Sequence, residues 1–301
     1  MTASLDALLS GLIDYAGLFP PAGLSMSAAV GRYADYRGGE RRNWLGRFVV
    51  PVSRLDEFTR AAADLPRDLV LASEPWRLSA LAGADLHADL AGITEFGAAH
   101  ARGENPVFRI DSIEAKAGRV EEILEAMVWI PDGIACYFEI PIRENPAGLI
   151  AAISRTGARA KVRTGGVTED AIPAAADLAR FLVECARADA AFKATAGLHH
   201  PLRSRHPLTY EPGAPEGLMF GFLNVFLAAA FARKGMGAED LSHLLEEEAP
   251  GSIAFDDQGA TWGGRHLDLA QLREARRSFA IAFGSCSFEE PVNDLRALGL
   301  E

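Results

Sequence analysis

Two lysines stand in near-matching frames, Lys161 in Ala-Lys-Val-Arg-Thr-Gly-Gly and Lys193 in Phe-Lys-Ala-Thr-Ala-Gly-Leu. Each frame reads as a short apolar strand whose lysine comes just before a glycine-containing turn. Their separation matches one strand–helix–strand unit. Parallel strands of that kind would set two ammonium groups side by side at one end of a sheet. Like charges held together make one of them give up its proton more readily. A neutral lysine amine is the nucleophile that turns a carbonyl into a Schiff base. Arg163 lies two residues beyond Lys161 and so shares its face; its guanidinium suits a carboxylate or phosphate, or a buried bridge to a nearby acid.

Further charge gathers at the ends of other apolar runs: Asp14, Asp111, Glu114, Lys116, Glu139 and His199. Buried strand ends seldom carry such a set without a reason, an active site or an ion-pair network. Asp111 and Asp14 could pass protons to and from a bound water, or pair with the lysines. Glu139 is either a base or the counter-ion that orients Lys161. Glu114 and Lys116 follow Asp111 in steps of about two, so one of them could face outward instead. Gly284-Ser285-Cys286-Ser287 closes the last apolar run. Small residues with free N–H groups ahead of a helix make an anion cradle. Ser285 and Ser287 would line it, with Gly165, Gly166 and Gly197 adding backbone donors; a plain tight turn is the alternative. His199 and His200 are adjacent, so they point to opposite sides of an extended chain. No zinc-type spacing accompanies them, so no metal is expected, and His199 is assigned to the substrate. Cys286 is either a nucleophile or a small buried turn residue.

Strand-like runs that must carry these groups recur along the chain: Leu12–Leu18, Phe48–Val52, Arg77–Gly83, Ile110–Lys116, Tyr137–Ile142, Ala160–Thr164, Ala191–Ala196 and Ile281–Ser285. Helical patterns alternate with them, at Arg54–Ala63, Asp85–His100, Arg119–Met127, Pro146–Arg155 and Ile172–Ala188. Repeated alternation implies a parallel sheet, and eight units imply a single closed (β/α)8 TIM barrel with its chemistry at the C-terminal ends of the strands. Two segments strain the tiling. Leu69–Ser73 also reads as a strand. Residues 201–279 are too long for one connection and hold the apolar run Leu218–Phe231, the acidic helix Asp240–Glu248, a strand at Ile253–Phe255 and a polar turn at Asp256–Gly264. This stretch is expected to be an insertion over the barrel mouth, with Leu218–Phe231 buried or forming a homo-oligomer contact.

A 301-residue chain with 49% hydrophobic and 24% charged residues has the composition of a globular protein. A net charge of −11 disfavours nucleic acid and anionic membrane as partners. The longest apolar run is too short to span a bilayer. Three separated cysteines and no signal-peptide pattern suggest the cytoplasm.

Taken in order, several frames resemble the deoxyribose-phosphate aldolase family of class I aldolases. Ile13-Asp14-Tyr15-Ala16-Gly17-Leu18-Phe19-Pro20-Pro21-Ala22 resembles that family's opening Ile-Asp-His-Thr-Leu-Leu-Lys-Pro-x-Ala. The Lys161-Val162-Arg163-Thr164-Gly165 and Lys193-Ala194-Thr195-Ala196-Gly197 frames are similar to its two lysine motifs, and Gly284-Ser285-Cys286-Ser287 to its phosphate turn. Ile110-Asp111 and Glu139 fall where the family has acidic strands. The resemblance implies a Schiff base on Lys161, a pKa-lowering Lys193, a proton relay through Asp111 with Asp14, and phosphate held by Gly165, Gly197, Ser285 and Ser287. Arg163, Ala196, the two histidines and residues 201–279 depart from the pattern, and all touch substrate contacts more than the lysines. The expected reaction is carbon–carbon lyase chemistry on a small carbonyl compound, phosphorylated or carboxylated, without a cofactor. The rivals are a barrel isomerase, lyase or decarboxylase using the cations electrostatically or with a divalent metal, and a non-catalytic sugar-phosphate-binding or scaffold barrel.

Overall fold

Apolar runs flanked by turns pair side by side when both of their faces can be covered. The computed structural model describes residues 1–70, 74–101 and 108–300. The strands are β1 (Ile13–Tyr15), β2 (Leu45–Pro51), β3 (Trp76–Leu81), β4 (Phe108–Lys116), β5 (Ala135–Glu139), β6 (Arg159–Arg163), β7 (Phe192–Thr195), β8 (Ser204–Pro207), β9 (Glu216–Met219), β10 (Ile253–Phe255), β11 (Gly259–Trp262), β12 (Arg265–Asp268) and β13 (Ala280–Ser285). All eight expected barrel strands are present, with ends shifted by a few residues. They close in the order β1-β13-β7-β6-β5-β4-β3-β2, each parallel to its neighbours. This is the (β/α)8 barrel of the alternating pattern. Of the extra strand expected over Leu69–Ser73, residues 69–70 end the short helix Arg67–Val70 and the remainder lies outside the described residues.

The expected helices form close to their predicted spans, as Leu55–Ala63, Leu86–His100, Val120–Met127, Ala147–Thr156 and Ala175–Ala188. Local signals set their ends. Asp85 accepts from the Ala88 N–H at 3.0 Å, an N-cap, and Gly157 stops its helix in the left-handed conformation at φ 73°. The helix Met26–Gly38 is one that apolar periodicity did not reveal. It packs aromatic side chains onto the outside of the barrel, with Tyr33 5.1 Å from Trp76 and 5.4 Å from Phe48, ring centroid to ring centroid.

The expectation for residues 201–279 needs correction. Only its first part, the β8–β9 hairpin, reaches the mouth. The apolar helix, observed at Phe222–Arg233, is buried within the chain and supplies no subunit face. It is the barrel's own cover over β7 and β13, where Phe226 stacks on Phe192 and Phe222 on Phe283. Its apolarity all round follows from burial on every side. The antiparallel sheet β10-β11-β12 joins the N-terminal helix Ala3–Leu9 through Ala3 N–H to Asp257 and Ser4 Oγ to the Asp256 carbonyl. That helix leads into the start of β1, so the sheet sits at the end opposite the mouth.

Arg276 locks that end. Buried, it donates from Nε to the Leu8 carbonyl at 2.7 Å, from Nη2 to Ser10 at 3.0 Å, and from Nη1 to Ile281 at 2.8 Å and to Ala280. Burial pulls its pKa down to about 10, still high enough to keep the charge at neutral pH. Arg276→Met would leave these carbonyls without their donor; unfolding free energy measured in urea should fall by at least about 3 kcal/mol.

Candidate active site

Strand register decides which side chains meet. In parallel strands, directly paired residues point to the same face. Glu139 pairs with Lys161, and Lys161 with Lys193, so these three project together into the barrel at its C-terminal end. Glu114, three residues past Asp111 on β4, completes the set. It is fully buried, and its Oε1 accepts from Lys193 and Ser79, both at 2.6 Å. Its Oε2 lies 2.8 Å from Lys161 Nζ. Lys161 also meets Glu139 at 2.9 Å, and Lys193 meets Asp14 at 2.6 Å. The result is a row of alternating charge: Asp14, Lys193, Glu114, Lys161, Glu139. Asp14 forms its far end, accepting the Arg47 N–H at 2.7 Å. Residue 46 must be glycine there, because a Cβ would stand in van der Waals conflict with the Asp14 carboxylate.

Burial works against charge on Lys193, but Asp14 and Glu114 overcome it and hold the ammonium well above the ordinary lysine range. Burial likewise opposes charge on Glu114, and the two lysines overcome it, keeping the carboxyl far below its usual range. The repulsion expected between the lysines is therefore offset. A carboxylate stands between the ammoniums, and Lys193 keeps its proton. Its Nζ also lies 5.4 Å from the Tyr137 ring centroid, in cation–π range.

Lys161, Lys193, Glu114, Glu139, Arg163, Gly166, Gly197 and His199 line one cavity of about 370 Å³ at the mouth. Lys161 is only 5% exposed, and it forms part of the floor. A second, wider cavity of about 620 Å³ lies alongside and shares Lys116, Glu139 and Arg163 with the first. Gly165 stands behind Gly197. A Cβ on either would come within 3.0 Å of the other's Cα, and Gly197 has φ +75°.

Of the expected site residues, Asp14, Gly165, Asp111, Ser285 and Ser287 do not line the cavity; Asp14 supports the row from below and Gly165 backs Gly197, while the other three serve elsewhere. Asp111 does not line the cavity. The register between β3 and β4 slips there, Ile110 pairing with Leu78 and Ser112 with Ser79. The extra residue turns its carboxylate to Arg47, at 2.5 and 3.2 Å, and to Arg77 at 2.7 Å. Burial opposes its charge, but the two guanidiniums hold its carboxyl below the usual range. It is an ion-pair residue nearer the start of β4, bound to arginines and not to either lysine. Ser285 and Ser287 also stay out of the cavity. The Ser285 hydroxyl accepts the Ser287 N–H at 3.3 Å, and the Ser287 hydroxyl accepts the Glu290 N–H at 3.1 Å, in the first turn of the helix Glu289–Ala297. Beside the expected anion cradle, the wall carries the carboxylate of Glu290.

Glu290 organises that wall. Its Oε2 accepts from Tyr210 at 2.9 Å and lies 2.8 Å from His199 Nδ1. His199 Nε2 lies 4.0 Å from Cys286 Sγ. Burial disfavours charge on His199, yet hydrogen bonds to Cys286 and Glu290 raise its pKa to about 9. His200 takes a different partner, Asp294 at 2.6 Å, and stacks on His206. Among the described residues no group of three or more His, Cys, Asp or Glu side chains could hold a metal ion, and no helix is long and apolar enough to cross a membrane. Tyr210, Glu290 and Asp294 carried no signal in the sequence, since each is defined only by how the β8–β9 loop meets the last helix.

Comparison with protein-family models, with curated proteins and with solved structures returns no match for this chain. The class defined on structural grounds is a (β/α)8 barrel.

Two outcomes follow from the electrostatics. Glu114→Gln leaves two buried ammoniums short of a counter-charge and should lower stability by about 3–5 kcal/mol in chemical denaturation. His199 has a folded pKa of about 9 against 6.5 as the ordinary value. Its contribution is complete below pH 6.5 and is lost as pH rises through 9, on the order of 3 kcal/mol. Denaturation curves across that window should flatten with pH in His199→Gln.

Proposed function

We propose that the chain is a carbon–carbon lyase of the class I aldolase type, which forms an imine between Lys161 and a small carbonyl compound. One observation carries the reading. Lys161 lies at the cavity floor between two carboxylates, so its ammonium has a proton acceptor on either side. Glu114 is committed to Lys193 and Ser79, which leaves Glu139 as the acceptor with freedom to act. The Lys161 proton passes to Glu139, and the neutral amine attacks the carbonyl carbon. Glu139 returns the proton as the carbinolamine loses water. The resulting iminium withdraws electrons from the adjacent carbon–carbon bond. Lys193 keeps its charge throughout and holds Glu114 ionised, so it is a positioning residue. Arg163 and Lys116, at the rim shared by the two cavities, suit an anionic group at the far end of the substrate. The ordered motifs that resemble those of the deoxyribose-phosphate aldolase family favour the same chemistry. This scheme requires no cofactor.

A second reading draws on the ion pairing itself. With each lysine bound to two carboxylates, the cations could stabilise an enolate electrostatically and never form an imine. One experiment separates the two. The protein is incubated with a panel of small aldehydes and ketones, reduced with borohydride, and mapped by mass spectrometry. The imine reading expects an adduct on Lys161, and loss of activity by several orders of magnitude in Lys161→Met. A panel that leaves Lys161 unmodified while turnover continues would favour the electrostatic reading.

A further inference from the structure

The cavity holds a second set of chemically competent groups, on the wall and independent of the lysine row. Cys286 Sγ, the His199 imidazole and the Glu290 carboxylate stand in sequence at 4.0 Å and 2.8 Å. The thiol and imidazole are buried, and all three groups line the cavity. The Tyr210 hydroxyl lies 3.7 Å from the sulfur and donates to the same Glu290 oxygen. Nucleophile, base and orienting acid in this order are the arrangement that activates a side chain for covalent catalysis, and such contacts are commonly loose before substrate binds. Cys136 and Cys185 have no such setting. Burial pushes the Cys136 thiol up to about 12 and the Cys185 thiol well above its ordinary value.

We propose that Cys286, His199 and Glu290 form a nucleophilic triad that accepts a small acyl group from an activated ester or thioester. Cys286 and His199 react as a thiolate–imidazolium pair, in which the thiol proton resides on His199 Nε2 and Glu290 stabilises the imidazolium. The sulfur attacks the acyl carbon, the bond to the leaving oxygen or sulfur breaks, and His199 returns the proton to the departing group. Water then attacks the thioester carbon, with its proton taken by His199. The carboxylic acid leaves and the thiol is restored. Other titratable groups bear on the pair and contribute to its pH response. Tyr210 of the β8–β9 loop meets the thiol and Tyr15 of β1 lies within its field, Glu289 and Glu290 belong to the last helix, and His200 and His206 lie within the field of His199. The proposal stands apart from the imine reading, because it uses neither lysine.

The test uses the intact protein and two probes. Iodoacetamide labelling, followed from pH 5 to pH 10 by peptide mass spectrometry, should modify Cys286 at pH 6 about tenfold or more faster than free glutathione. The labelling rate at pH 6 should fall in His199→Gln and, more weakly, in Glu290→Gln, both checked for native circular dichroism. With p-nitrophenyl acetate, the protein should release a burst of about one equivalent of nitrophenolate and carry the acetyl group on Cys286. The peptide map should show Lys161 free of acetyl, which separates the burst from any failure of imine trapping, and Cys286→Ser should abolish it. A Cys286 labelling rate at pH 6 no faster than that of glutathione, and unchanged in both variants, would overturn the triad. A burst that survives in Cys286→Ser would overturn the acyl transfer.

Discussion

One buried carboxylate holds the centre of this barrel together. Glu114 accepts from two lysines and a serine on three different strands, and no group beside it could take over both cations. Two ammoniums packed this closely in a dry interior would otherwise repel and pay a large desolvation cost. Placing a carboxylate between them turns the conflict into a row of alternating charge. The cost is rigidity of composition: each member depends on the next, so substituting one leaves an unpaired charge in low dielectric. The barrel supplies the register that makes the row feasible, and the row in turn fixes what chemistry the floor can support.

The two ends of the molecule are built on different principles. At the mouth, polar side chains converge and the loops contain strained backbone at the left-handed Ala196, beside Gly197, whose positive φ is cheap. At the opposite end, Arg276 satisfies a cluster of carbonyls and a small antiparallel sheet covers the N-terminal helix. Both arrangements draw on the long segment between β7 and β13. Its hairpin shapes one end, its apolar helix covers the barrel wall, and its sheet serves the other end.

Much of the architecture was legible in the sequence, because apolar runs of strand length alternating with helical patterns have few other solutions. The meeting of Lys161 and Lys193 was legible for the same reason, since matching frames on consecutive strands imply matching register. The role of Glu114 was not. Asp111, Glu114 and Lys116 lie close together on one strand, and only the register slip opposite Leu78 and Ser79 decides which of them faces inward. The serines of the last turn misled because their hydroxyls serve the backbone next to them. The wall formed by Tyr210, His199, Cys286 and Glu290 joins residues far apart in the chain through loops, where periodicity carries no information. The segment after β7 was read as one insertion because its apolar helix, visible as a run of buried-type residues, gave no sign of which barrel strands it would cover.

The border between the two cavities ties their occupancy together. Lys116, Glu139 and Arg163 belong to both hollows, so a side chain drawn towards a guest in one is taken from the wall of the other. Arg163, half-exposed on that border, is the member with the most room to swing, and its guanidinium would favour whichever hollow held the more negative guest.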